Sequence, residues 1–357
     1  MHADIRRARG LPGALYADPG WYGHVRERVL TRTWHVVADA AALAAPGSAV
    51  PATLLEGALD EPLLLTRDAR GTLRGFANVC THRGAPLVER ACQVDHLRCR
   101  YHGRRFGLDG RFVSMPEFDG VAGFPGPDDD LARVAVAQWG PFVFAALDPV
   151  APFEDAVAPL GAHVEWMPLD AFRRDDAGAR DYELQASWAL WCDNYLEGFH
   201  VPYVHPALAR TLDYRAYRSE TFKWASLQIG VAAGGEDAFD LPPGHPSAGE
   251  RIAGLYFCLF PTTMLNFYPW GLSLNLVRPL GPDRVRVRYV PYVWREERRG
   301  RGAGGDLHHV ELEDDDIVQA TQRGVSSRFY RRARYSPARE ACVHHFHRLL
   351  AELLRDD

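Results

Sequence analysis

At 357 residues and 47% hydrophobic, the chain is long enough to bury two ordinary cores. A net charge of −5 leaves no basic footprint for nucleic acid. No apolar run is long enough to span a membrane, and the N-terminus MHADIRRARG lacks the apolar stretch of a signal peptide. A cytoplasmic protein is expected. The six cysteines, in a chain without a secretory signal, do not suggest disulfides. Cys80, Cys92 and Cys99 crowd together with histidines between them, which points to metal binding.

Residues 1–34 read as a polar arm and a helix packed on the second domain. Asp18-Pro19 starts that helix, and Trp21, Val25, Val29 and Leu30 form its apolar stripe. Residues 35–150 alternate short strands (EPLLLTRD, TLRGFANVC, FVFAALDP) with Gly/Pro turns, the pattern of a small all-β domain. The acidic run ending the Gly120–Asp130 loop reads as simply solvated. Pro149–Pro152 marks a boundary. The domain 151–357 opens with a short helical piece and the strand DYELQASW, followed by a helix holding DNYLEGFHVPYVHP. The strands RIAGLYFCLF, TTMLNFY, LSLNLVRPL and RVRVRYVPYVW then suggest an antiparallel sheet. A long helical segment, broken near Pro337, closes the chain. His344, His345 and His347 on it are expected at its surface and in the core.

Two stretches carry chemistry. Cys80, His82, Cys99 and His102 give C-x-H-x16-C-x2-H. Two thiolates and two imidazoles suit tetrahedral zinc or a Rieske [2Fe–2S] cluster. The loops HRGAP and HGRRF favour the cluster, because Gly84 and Gly103 let the backbone turn close to the sulfides and Pro86 stiffens the first loop. Cys92 and His96 lie at no useful spacing. In the second stretch, Asn194, Glu197 and His200 are three apart and would share a helix face. Pro202 bends or ends that helix, which would bring His205 back to the same point. Two imidazoles beside a carboxylate suit a transition metal.

Together these motifs resemble the oxygenase (alpha) component of Rieske non-haem iron oxygenases, nearest in pattern to the choline/betaine/carnitine monooxygenase-like branch. The resemblance implies an α+β chain: a small all-β Rieske domain and a helix-grip (START-like) domain, its antiparallel sheet wrapped on a long helix. It implies a mononuclear Fe(II) on His200, His205 and Asp314, the last placed eight residues before Gln322 of Gln322-Arg323-Gly324, with Asp315 and Asp316 also open. It makes Glu197 the carboxylate linking the iron to a neighbouring subunit's cluster, hence a homotrimer, with Asn194 beside it. Electrons would come from an NAD(P)H-dependent flavin/iron–sulfur reductase, and O₂ would be the co-substrate. Nearby aromatics, among them Phe199, Tyr203, Phe267 and Trp270, would bind a quaternary ammonium or N-methyl compound by cation–π attraction. The same walls would serve a planar ring, so an aromatic-ring mono- or dihydroxylating oxygenase is the alternative. A Rieske electron carrier without oxygenase activity is the reading from another class, disfavoured by the second ligand set.

Overall fold

The computed structural model describes residues 1–355 and separates into two compact units: Thr31–Val150, and Met1–Leu30 with the chain from Ala151 onward. Helix α1 (Pro19–Val25) opens on Asp18, whose carboxylate accepts the Trp21 N–H at 2.6 Å. Val25, Val29 and Leu30 are fully buried. The arm is tied down by Gly10 N–H to Ala333 O at 3.1 Å and by the Tyr22 hydroxyl to Pro279 O at 2.8 Å.

The Thr31–Val150 unit is all β. Its strands are β1 (His35–Asp39), β2 (Ser48–Leu54), β3 (Glu61–Arg67), β4 (Leu73–Ala77), β5 (Cys92–Gln93), β6 (Leu97–Arg98), β7 (Arg105–Phe106), β8 (Phe112–Ser114), β9 (Arg133–Trp139) and β10 (Phe142–Ala146). One sheet runs β1-β10-β9-β4-β3-β2-β5 and a smaller one β6-β7-β8. The loop after β4 and the β6–β7 loop share one hydrogen-bond pattern. Cys80 N–H reaches Ala85 O at 2.9 Å and Gly84 N–H returns to Cys80 O at 2.9 Å. Cys99 N–H reaches Arg104 O at 2.8 Å and Gly103 N–H returns to Cys99 O at 3.0 Å. Gly84 and Gly103 sit at φ +74° and +73°, where a side chain is strained.

The acidic run of this unit is not merely solvated. Asp129 Oδ1 accepts from the buried Arg104 guanidinium at 2.5 Å, and Asp129 O accepts the Thr81 hydroxyl at 2.9 Å. One residue thus fastens both loops. Arg104 also lies over Phe112, 4.9 Å from the ring centroid. The sequence reading missed this because Arg104 is far away in sequence and charge runs are usually solvated.

The other unit adds α2 (Phe153–Val164), β11 (Arg173–Arg174), β12 (Arg180–Leu184), α3 (Trp188–Tyr195), α4 (Val201–Val204) and α5 (Leu208–Thr211). Then follow β13 (Arg218–Thr221), β14 (Ala225–Val231), β15 (Ile252–Leu259), β16 (Thr263–Tyr268), β17 (Gly271–Gly281), β18 (Arg284–Val293), α6 (Leu307–Val325) and α7 (Ala341–Leu353). The antiparallel sheet runs β11-β18-β17-β16-β15-β14-β13, and β12 also pairs with β18. Strands β13 and β14 were not expected from the sequence. The inward stripe of α6 holds Glu311, Val318, Gln322 and Val325, at helical spacing but half polar. Gln322 accepts the Ser187 N–H at 2.9 Å and donates to Tyr16 O at 3.2 Å, binding α6 to α3 and to the arm. Helix α6 stops at Val325, well before Pro337, with the Ser326 hydroxyl bonded back to Gln322 O at 2.8 Å. No described helix is long and apolar enough to cross a membrane.

Replacing Asp129 with Ala strands a buried guanidinium. The expected loss is about 3 kcal/mol in the unfolding transition of the all-β unit, read by denaturant titration.

Candidate active site

In the all-β unit, the Cys80 and Cys99 side chains are buried in the hydrophobic cluster with Leu64, Phe76, Leu97 and Phe106. Burial pushes the Cys80 thiol up, partly offset by the His82 backbone N–H bonded to it. The His82 and His102 rings lie nearer the surface, centroids 4.7 Å apart. His82 Nδ1 is itself buried and meets no protein partner. Two buried cysteine sulfurs and two imidazoles nearer the surface fit a cluster whose iron atoms differ in ligation, sulfur on one and nitrogen on the other.

In the other unit, the stretch around His200 is not the continuous helix expected. Helix α3 ends at Tyr195, and Glu197 and His200 lie in the turn beyond it. Gly198 weakens a helix here, and a Cβ on it would meet the Tyr217 ring at 2.5 Å. The Glu197 carboxylate also takes the Phe199 backbone N–H, and that of His200 at 3.1 Å, replacing helical partners. Pro202 then sits in the first turn of α4, so it starts a helix rather than ending one. The result still brings His200 and His205 together, ring centroids 5.0 Å apart.

Their Nε2 atoms face one carboxylate oxygen. Asp314 Oδ1 lies 3.0 Å from His205 Nε2 and 3.5 Å from His200 Nε2, and it accepts from Asn194 Nδ2 at 2.7 Å. His200, His205 and Asp314 each offer a ligand atom within 4.8 Å of the others. Of the three consecutive aspartates, Asp314 takes this place. Asp315 turns to Glu311, and burial raises its pKa to about 6. Behind the imidazoles stand two more carboxylates: Glu197 Oε1, 2.8 Å from His200 Nδ1, and Glu313 Oε2, 2.7 Å from His205 Nδ1. Such partners leave each Nε2 lone pair free for a metal. The donor set suits non-haem iron.

The triad opens into a cavity of about 110 Å³ that is partly open to solvent. Its aromatic walls are Tyr195, Tyr217, Tyr256, Tyr268 and Tyr289, not the four aromatics expected. Phe199 and Tyr203 are exposed. Phe267 faces the other side of β16 and packs on Phe257, and Trp270 stacks behind Tyr268 at 5.5 Å. Strand alternation decides this: on β16, Asn266 and Tyr268 face the cavity and Phe267 the core. Register places Gln228, Tyr256, Asn266 and Ser273 in one row across β14–β17. Tyr256 leans over Gly254 and Gly230, where a Cβ would meet its hydroxyl at 2.4 and 3.2 Å. Burial pushes the Tyr195, Tyr217, Tyr256 and Tyr268 phenols up, so they stay neutral. Glu197 and His200 also line a second recess with Tyr16, Asp193, Tyr335 and His347. His347 is buried there, its Nε2 2.8 Å from Asp193.

Both units match known families. Residues 33–125 match the Rieske [2Fe-2S] domain, and residues 172–356 match the ring hydroxylating alpha subunit (catalytic domain). The chloroplastic choline monooxygenase of Arabidopsis thaliana is 30% identical over 98% of this chain and 84% of its own length. The carnitine monooxygenase oxygenase subunit of Escherichia coli K12 is 28% identical, covering 99% of this chain and 96% of that protein. A solved quaternary ammonium Rieske monooxygenase in complex with L-carnitine shares the fold, with a TM-score of 0.77 and 23% identity over 99% and 97% of the two chains. With a Rieske domain ahead of a matching catalytic domain, the chain belongs to the Rieske oxygenase alpha-subunit family, oxidoreductases that use a [2Fe–2S] cluster, a mononuclear iron and O₂.

Proposed function

We propose that this oxygenase hydroxylates or N-demethylates a quaternary ammonium or N-methyl compound. The observation that carries the reading is the tyrosine wall beside the triad. Tyr256 meets Tyr268 edge-on at 5.7 Å and lies parallel to Tyr217 at 6.5 Å, offering several ring faces to one cation. The choline and carnitine monooxygenases among its relatives support it.

In this reading Cys80, His82, Cys99 and His102 hold the [2Fe–2S] cluster, and His200, His205 and Asp314 hold the ferrous iron. When bound, these groups would pass on two electrons from the reductase and activate O₂; with two protons from solvent, one oxygen atom would enter a C–H bond and the other would leave as water. The chain's own residues set the stage. Nδ1–H of His200 donates to Glu197, and Nδ1–H of His205 donates to Glu313, which fixes both tautomers. Asn194 holds the Asp314 carboxylate in place. The neutral tyrosine faces orient the substrate's methyl groups without competing for the iron. The external electron donor is an NAD(P)H-dependent flavin/iron–sulfur reductase. Glu197 lines both the cavity and the recess behind it, and there it meets a cluster histidine of a neighbouring subunit in a homotrimer. The enzyme works in the cytoplasm.

Reconstitution with a surrogate reductase tests the reading. Choline, betaine and carnitine should stimulate NADH consumption, with aldehyde or formaldehyde formed in step; turnover confined to small aromatics would replace it. Glu313→Gln should lower iron affinity at the triad by about 10–100-fold and leave the cluster's visible spectrum unchanged. Equal iron retention under a chelator would remove Glu313 from this role. Glu197→Gln keeps the side chain's length but offers a donor where an acceptor is wanted. It should slow oxidation of a pre-reduced cluster by O₂ and substrate in stopped flow far more than it alters substrate affinity. Wild-type reoxidation would mean electrons take another route.

A further inference from the structure

Glu311 holds neither metal centre in this reading, yet it lines the cavity and is only 3% exposed. It shares a hydrogen bond with the Asp315 carboxyl, and its other partners are neutral donors. Oε1 accepts Trp191 Nε1–H at 3.2 Å, and Oε2 accepts the Tyr289 hydroxyl. The charged groups near it on its own helix are the carboxylates Asp314 and Asp315. From the strands packed against it come two phenols, Tyr289 on β18 and Tyr182 on β12. No lysine or arginine lines the cavity among the described residues.

A buried acid among other acids costs stability, and glutamine or methionine at position 311 would fill the space for less. The cost is offset if a permanent cation enters beside it. Tyr256, Tyr268 and Glu311 line the same cavity, aromatic rings and a carboxyl being two complementary ways to hold a charged nitrogen. We propose that Glu311 is the counter-ion of the substrate's cationic head group, and the residue that makes the cavity prefer an alkylammonium over a neutral molecule of the same shape. This rests on the quaternary-ammonium reading above.

Choline and its uncharged isostere 3,3-dimethylbutan-1-ol separate charge from shape. Their dissociation constants are measured by calorimetry on the anaerobic, iron-loaded enzyme. The wild type should bind choline at least about tenfold more tightly. Glu311→Gln should bring that ratio down to about threefold, the residue of cation–π attraction, with the isostere's affinity nearly unchanged. Glu311→Asp should keep the preference. If Gln does not give a folded, iron-loaded protein, Glu311→Met is read in the same way. A ratio within about twofold of wild type in a charge-removed variant would overturn the proposal, leaving Glu311 as a tether between α6, α3 and β18. A wild type that does not discriminate would overturn the quaternary-ammonium reading as well.

Discussion

The catalytic unit depends on one carboxylate oxygen. Asp314 Oδ1 lies within 3.5 Å of both imidazole Nε2 atoms and accepts the amide of Asn194. Its helix, α6, is held to the start of α3 by Gln322, about two turns beyond the acids. The turn after α3 delivers His200, and α4 delivers His205. If any of these three supports moved by an ångström, the three ligand atoms would no longer face one point. The outer carboxylates Glu197 and Glu313 then orient the rings that Asp314 faces.

This arrangement costs stability. Glu311, Asp314 and Asp315 fall within about one turn of α6, where like charges repel. Burial worsens the repulsion and drives Asp315 up to about 6. A helix selected for stability alone would carry leucine or glutamine on this stripe. Conflict between local preference and burial is expected at sites kept for chemistry.

Much of the site was legible because its residues are close in sequence and chemically distinctive. The two Cys–His pairs and the His200–His205 pair stood out by spacing, and the flanking loops and the family resemblance gave them their metals. The family resemblance selected Asp314, eight residues before Gln322, and left Asp315 and Asp316 open; the geometry separates Asp314 from Asp315. What was not legible came from long-range placement. The helix expected through His200 yields to Gly198 and to a carboxylate that captures backbone N–H groups, effects that periodicity does not register. The aromatic candidates were picked by nearness in sequence, whereas the cavity is built by strand register, which exchanges Phe267 for Tyr268. Glu313 and Asp129 stand in acidic runs visible in the sequence, but they act through partners about 110 and 25 residues away, which those runs do not reveal.

The central claim is that one chain holds two separate iron centres, one on sulfur and imidazole, the other on two imidazoles and a carboxylate. Metal and acid-labile sulfide analysis of the purified, anaerobically loaded protein tests it most directly. The account predicts about three irons and two sulfides per chain, with the third iron lost when His200 is replaced while the other two remain. Two irons per chain with unaltered sulfide in the wild type would contradict it, and would leave the His200, His205 and Asp314 convergence without a metal to hold.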